Sequence, residues 1–234
     1  MTFKIRVGPT QITIHQGQTV LVTQPDGQII PSSQHGLFFR DTRLICGWRI
    51  WANGHPWQLL NGGATAAHAA RIVEINPDLD GQNKKISAGT LGLMIERTIK
   101  GGIHEDIAIS NNGLKPVKFI LEIEIRSDFA DIFEVKGNDV VQRAKITDSW
   151  SSRKQTLSIH YRHKDFEREL IVRVKKDRGP LAAIANGRLR FDVVLNARQV
   201  WHRCLLYEFV DGGNRVPAPR TCLQGAETAG HAKA

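Results

Sequence analysis

The sequence has few cysteines, and none of them lies in a metal-binding or disulfide-rich pattern. Only Cys46, Cys204 and Cys222 occur in 234 residues, and no CxxC pair is present. A chain of this length buries about three quarters of its unfolded surface, so it does not need disulfides to stay folded. An odd and widely spaced set is typical of reduced thiols, which predicts a cytoplasmic protein.

Long hydrophobic runs and cofactor motifs are also missing. The N-terminal MTFKIRVGPT has no apolar run of signal-peptide length, and no window approaches a membrane span. There is no P-loop, GxGxxG, HExxH or GxSxG motif. His160 and His163 are three residues apart, which points them to opposite faces of a strand. We therefore expect no cofactor, no metal ion, no membrane association and no catalytic residue in this chain.

Acidic residues are fewer than basic ones, with 23 Asp or Glu against 32 Lys or Arg, and the formal net charge is +9. Lys136–Arg178 alone contains twelve Lys or Arg against six Asp or Glu. Such a surplus allows a polyanionic partner such as nucleic acid, because neutralised phosphates release counterions. The basic residues alternate with apolar ones, however, which is typical of a solvated strand face. Nucleic-acid binding is therefore the less favoured interpretation.

The hydrophobic pattern predicts strands almost throughout. Apolar residues alternate with mostly charged ones over Val117–Ile125, and glycine turns such as Asn53-Gly54 separate short runs of this kind. More than a dozen such strands and little helix predict an all-β fold, a large two-sheet antiparallel β-sandwich. We expect a single domain over residues 1–212, followed by a polar, disordered tail over residues 213–234.

The least interchangeable stretch is Gly36–Gly54, GLFFRDTRLICGWRIWANG. Bulky aromatics are followed at once by Arg40, Asp41 and Arg43, so these charges must lie at a core edge and need partners. Asp41 between two guanidinium groups predicts a structural ion-pair corner, with a substrate-rim role as the alternative. The most plausible distant partners of this corner are Asp128 and Asp131.

Three of the five tryptophans, Trp48, Trp51 and Trp57, fall within ten residues of one another. Exposed indoles are common platforms for sugar rings, which makes this group a candidate carbohydrate site. Core packing is the competing interpretation, because aromatic side chains bury large apolar areas.

Ser127–Gly137 interrupts the strand pattern with a short helical turn, for which Ser127 or Asp128 can serve as the N-cap. Asp128, Asp131 and Glu134 bring three carboxylates close together, as in a glycosidase acid pair or a calcium loop. A calcium loop needs alternating ligands and a glycine at its bend, which this segment lacks. We therefore favour a structural role for these acids.

Five blocks occur in an order that resembles a known family: GLFFRDTR, LLNGG, INPDL, ERTIKGGIHEDIAISNNG and SDFADIFEVKG. The sequence is similar, from about Gly8 to about Val210, to the N-terminal domain of bacterial glycogen-debranching-enzyme-like (amylo-alpha-1,6-glucosidase-like) proteins. The resemblance implies a supersandwich domain that precedes a separate (α/α)6 catalytic barrel. In that family the barrel carries the glycosidase chemistry, and nothing in this chain looks like it.

The resemblance implies a non-catalytic scaffold and substrate-rim domain of an α-glucan glycosidase, with the (α/α)6 barrel as its partner in cis or in trans. The alternative is a stand-alone carbohydrate-binding module for α-glucans, based on the tryptophan group. On either interpretation the chain is not expected to act as an enzyme by itself.

Overall fold

The computed structural model describes residues 10–31, 33–80, 85–175 and 181–220. These residues form one short helix, α1 (Ile132–Gly137), and eighteen β-strands. The strands are β1 (Ile12–Gln16), β2 (Thr19–Thr23), β3 (Gly36–Phe39), β4 (Thr42–Ile45), β5 (Gly47–Ala52), β6 (His55–Pro56), β7 (Gln58–Ala66), β8 (Ala69–Ile75), β9 (Leu91–Lys100), β10 (Gly102–Asn111), β11 (Val117–Arg126), β12 (Ile146–Ser151), β13 (Thr156–His163), β14 (Phe166–Val174), β15 (Ala183–Ala185), β16 (Arg188–Leu195), β17 (Val200–Asp211) and β18 (Asn214–Val216). The all-β prediction is confirmed.

The strands form an antiparallel sandwich. One layer is a nine-stranded sheet in the order β12-β13-β14-β17-β10-β9-β8-β7, with β18 paired to β17. The other layer is divided between a four-stranded sheet, β1 to β4, and a five-stranded sheet in the order β15-β16-β11-β5-β6. Phe39 of β3 packs on Phe209 of β17 with ring centroids 5.6 Å apart, which joins the four-stranded sheet to the large one.

The alternation of apolar and polar residues along each strand determines which face packs in the core, as the sequence pattern predicts. On β11, Phe119, Leu121 and Ile123 are buried and belong to one continuous core that reaches all three sheets. The Asn53-Gly54 turn joins β5 to β6 with φ angles of 49° and 79°, a conformation that asparagine and glycine tolerate. Apolar periodicity and turn chemistry therefore explain most of the layer structure.

A polar network crosses the core between the two layers. Arg97 of β9 and Glu105 of β10 are 3% and 1% exposed, and Arg97 Nε lies 2.5 Å from Glu105 Oε2. The Tyr207 hydroxyl donates to Glu105 Oε1 at 2.7 Å and accepts from Trp48 Nε1 at 2.9 Å. Arg97 also donates to the Gly27 carbonyl at 2.6 Å and lies 4.3 Å from the Trp48 ring centroid. Burial, with Glu105 beside it, holds the pKa of Tyr207 well above its usual range.

Glu74 of β8 lies fully buried near this network, and neither of its carboxylate oxygens has a hydrogen-bond partner among the described residues. Burial raises the pKa of Glu74 to about 8, Asp26 adds to the rise, and Arg97 opposes it. The side chain is therefore mostly protonated at neutral pH, which avoids a buried uncompensated charge.

The sheet continues beyond the expected boundary at residue 212. Strand β18 pairs with β17, and the Gly102 amide donates to the Pro217 carbonyl at 2.9 Å. The polar segment is ordered here because backbone hydrogen bonds, rather than apolar side chains, attach it to the sheet edge. Residues 1–9 and 221–234, the latter being the rest of the expected tail, lie outside the described residues. Across the described ranges, no helix has the length and apolar character needed to cross a membrane.

Replacing Tyr207 by phenylalanine tests the network. The variant leaves the Trp48 N–H and one Glu105 oxygen without their partner, so we expect a loss of about 1 to 3 kcal/mol of unfolding free energy in urea. Tyr161→Phe is the matched control, because its ring is 6% exposed and its hydroxyl makes no hydrogen bond to the described residues. Equal losses in the two variants would contradict a structural role for the network.

Glu74 makes stability depend on pH. Between its ordinary pKa of 4.5 and its folded pKa of about 8, the folded chain keeps a proton that the unfolded chain releases, so stability falls as pH rises. Glu74→Gln cannot lose that proton. In urea unfolding from about pH 5 to about pH 8, we expect the variant to gain roughly 3 to 5 kcal/mol relative to the parent. Parallel pH profiles would contradict the raised pKa.

Candidate functional site

Arg43 of β4 anchors the corner that the sequence singles out. Its side chain is only 3% exposed, and its Nε and NH2 contact the Asp128 carboxylate, with NH2 2.5 Å from Oδ2. Its NH1 donates to the Ser33 carbonyl at 2.8 Å and to the His35 carbonyl at 3.3 Å. This bidentate pair, expected for Asp128, holds the loop before β3 against the loop before α1.

Arg40 and Asp41 do not form the arrangement expected from the sequence. Arg40 is half exposed and pairs with Asp211 at 2.5 Å, and Asp211 also pairs with Arg168. Asp41 is exposed, and within the described ranges its carboxylate takes part in no ion pair. Its backbone carbonyl accepts a hydrogen bond from the Ile132 amide at 2.8 Å. The expectation of Asp41 held between two guanidinium groups is corrected, because the turn sends the two arginines in different directions.

Asp131 serves as a helix cap rather than as an ion-pair partner. The Phe133 amide donates to Asp131 Oδ1 at 2.8 Å, and Glu134 reaches back to the Asp131 amide at 3.3 Å, which is a capping box. The cap expected at Ser127 or Asp128 is therefore displaced, since the Asp128 carboxylate is occupied by arginine. The three acids of this segment have separate structural tasks.

The tryptophan group does not form an exposed platform. Trp48 and Trp57 are 1% and 5% exposed and belong to the core. Trp51 is half buried, and the guanidinium groups of Arg188 and Arg49 lie 4.2 Å and 5.8 Å from its ring centroid. These cations occupy the surroundings that a stacked sugar ring would need.

The basic stretch is spread over several strands, and some of its arginines are paired with acids. Arg168 pairs with Asp211, and both Arg173 and Arg215 pair with Glu208. Such pairing is typical of a solvated strand face, and it engages these arginines with acids of neighbouring strands. Residues 176–178 of the stretch lie outside the described residues.

The outer face of the nine-stranded sheet, turned away from the core, carries an open apolar area at its β7–β10 end. Its most exposed members are Leu60 and Val200, with 60% and 56% of their surface accessible. They border a cleft of about 550 Å³. The cleft, which we call the apolar cleft, is lined mainly by Leu60, Val73, Ile75, Met94, Ala108 and Val200. The sequence does not predict it, because strand alternation cannot tell which sheet face is covered.

These features define the class of this protein as an all-β, two-layer sandwich domain. The chain belongs to the family described as the N-terminal domain of (some) glycogen debranching enzymes, whose family model matches residues 14–206. No protein of curated function matches the sequence significantly. The family resemblance noted from the sequence blocks is confirmed.

Solved structures extend the comparison of folds. A putative kojibiose phosphorylase from the human microbiome aligns at a TM-score of 0.53 and 10% identity, over 94% of this chain and 32% of that one. A putative aldose 1-epimerase from Escherichia coli K12 aligns at a TM-score of 0.49 and 6% identity, over 86% and 99% of the two chains. This chain therefore spans about a third of the phosphorylase.

Removing the Asp128 carboxylate tests the corner. In Asp128→Ala the buried Arg43 loses its counter-charge, so we expect the unfolding free energy to fall by about 3 to 5 kcal/mol. Asp41→Ala is the control, and because that carboxylate is exposed we expect a change within about 0.5 kcal/mol. The measurement is urea unfolding of both variants. If Asp41→Ala were the more damaging change, the assignment of the two acids would be wrong.

Proposed function

We propose that this chain is a non-catalytic scaffold domain of a glycogen-debranching-type α-glucan glycosidase, and that its apolar cleft docks the (α/α)6 catalytic barrel. The open apolar area on the outer sheet face is the observation that carries the proposal. Membership of a family described by its place at the N-terminus of glycogen debranching enzymes supports a catalytic partner. The proposed compartment is the cytoplasm, which suits the buried free thiol of Cys46.

The chemistry of the cleft fits a protein partner better than a sugar. Its lining is dominated by aliphatic side chains, and the exposed Leu60 and Val200 stand at its border. Burying such side chains on association contributes about 25 cal/mol per Å² of apolar surface removed from water. A glucan would instead need aromatic faces with polar groups around them.

The rest of the domain supplies rigidity rather than reaction chemistry. The bidentate contact of Arg43 with Asp128 and the capping box at Asp131 fix loops at one edge of the sandwich. Arg40 is half exposed and pairs with Asp211, at the opposite end of β17 from Val200. We propose that the docked barrel extends along β17 and that this corner lies at its substrate rim.

Binding to the (α/α)6 catalytic domain from the same source tests the docking surface. We expect Val200→Asp to weaken the association at least about tenfold, because it places a carboxylate in an apolar contact. Val194→Asp is the matched control, since Val194 is equally exposed, at 60%, but lies on the five-stranded sheet. Calorimetry gives the affinity, and glucose release from an α-1,6-branched dextrin gives the activity of the complex.

Equal binding by the two valine variants would remove the apolar cleft as the docking surface. Glucose release by this chain alone would contradict the non-catalytic assignment. Native electrophoresis through a glycogen gel decides against the stand-alone module if the chain is not retarded, which is the result we expect. Retardation that survives high salt and disappears in Trp51→Ala would favour the module instead.

A further inference from the structure

Four side chains that commonly bind metal ions lie together on the outer face of the nine-stranded sheet, beside the apolar cleft. His104 and Asp106 come from β10, and His202 and Cys204 come from β17. Residues two apart share one face of a strand, and Asp106 lies directly opposite Cys204 in the register of the two strands. His104, Asp106 and Cys204 are 2%, 2% and 4% exposed, and their ligand atoms all lie within 4.8 Å of one another.

Three of these side chains, His104, Asp106 and Cys204, form a mutually close group, and His202 approaches two of its members. Asp106 Oδ1 lies 3.4 Å from His104 Nε2, 3.2 Å from Cys204 Sγ and 3.0 Å from His202 Nε2. Cys204 Sγ lies 3.8 Å from His202 Nε2. Ligand atoms that stand about 2.0 to 2.3 Å from a tetrahedral zinc ion are themselves roughly 3.3 to 3.8 Å apart. Asp106 and Cys204 are therefore spaced as two ligands of one ion, with His104 and His202 each close to Asp106.

The surroundings of the two ring nitrogens of His104 point to a cation. Its Nδ1 lies 2.8 Å from the Pro219 carbonyl oxygen, which can only accept, so Nδ1 carries the proton. Its buried Nε2 has no hydrogen-bond partner among the described residues, yet it faces Asp106 at 3.4 Å. In the neutral ring this places a lone pair against a carboxylate oxygen, which is unfavourable unless a positive charge lies between them. A backbone carbonyl on the far ring nitrogen is also the usual support of a metal-binding histidine.

We propose that His104, Asp106 and Cys204, with His202 as the fourth donor, bind a divalent zinc ion. Thiolate and imidazole donors favour zinc over magnesium or calcium, which prefer oxygen ligands. The burial of three of the four donors is typical of a structural ion rather than a catalytic one. Binding releases the Cys204 thiol proton and ties β10, β17 and the segment around Pro219 together. The site does not depend on the proposed docking function.

Metal analysis of the protein purified without chelators tests the site directly. We expect about one zinc ion per chain by plasma mass spectrometry, and loss of that zinc in Cys204→Ser and in His104→Gln. His104→Gln removes the imidazole nitrogen that would bind the ion. After zinc removal, cobalt(II) should give a near-ultraviolet thiolate-to-metal charge-transfer band, and a chelator should lower the melting temperature of the parent only.

Two variants serve as matched controls that should keep the zinc and the cobalt band. Cys46→Ser changes a buried cysteine whose pKa burial raises to about 12, and His160→Ala changes a surface histidine paired with Glu167. A parent protein without zinc, whose cobalt titration shows no thiolate band, would overturn the proposal. In that case a proton, rather than a metal ion, would lie between His104 Nε2 and Asp106 Oδ1. Because the cobalt test uses the parent protein, it decides the question even if a variant fails to fold.

Discussion

The two layers of this sandwich meet around charged groups that have no access to water, and the fit of these groups constrains the whole fold. An unpartnered buried charge costs several kcal/mol, so Arg97 and Glu105 fold only where both find complementary atoms. Those atoms come from both layers: the Tyr207 hydroxyl from the large sheet, and the Trp48 indole with the Gly27 carbonyl from the opposite side. Apolar contacts bring the sheets together, and this network allows one alignment of them.

The strand content and the family follow from sequence because they depend on local signals. The alternation on β11 and the Asn53-Gly54 turn each act over a few residues, and the structure contains both the strand and the turn that they predict. Such predictions require only what neighbouring residues prefer. The pairing of Arg43 with Asp128 is different, because it joins residues 85 positions apart; it was expected because a guanidinium at a core edge needs a carboxylate partner.

The predictions that failed, or that the sequence did not suggest, concern contacts between residues far apart in the chain. Asp41 was expected to pair with the arginines beside it, but their side chains leave the turn toward Asp211 and Asp128. The four residues of the proposed zinc site form two short patterns, HxD and HxC, about 100 residues apart, and only the register of β10 with β17 joins them. The apolar cleft is not predictable from the sequence for a related reason. The alternation of residues along a strand distinguishes two faces but does not show which face another element covers.

Strand β17 shows how closely these features are linked. Its inner face carries Tyr207 of the core network, its outer face carries His202 and Cys204, and its last residue, Asp211, holds two arginines. Because side chains alternate every residue, a single inserted or deleted amino acid in β17 would exchange the two faces at once. A change in the length of β17 would therefore disturb the core network and the outer-face cluster together, which a change in the length of a surface loop would not.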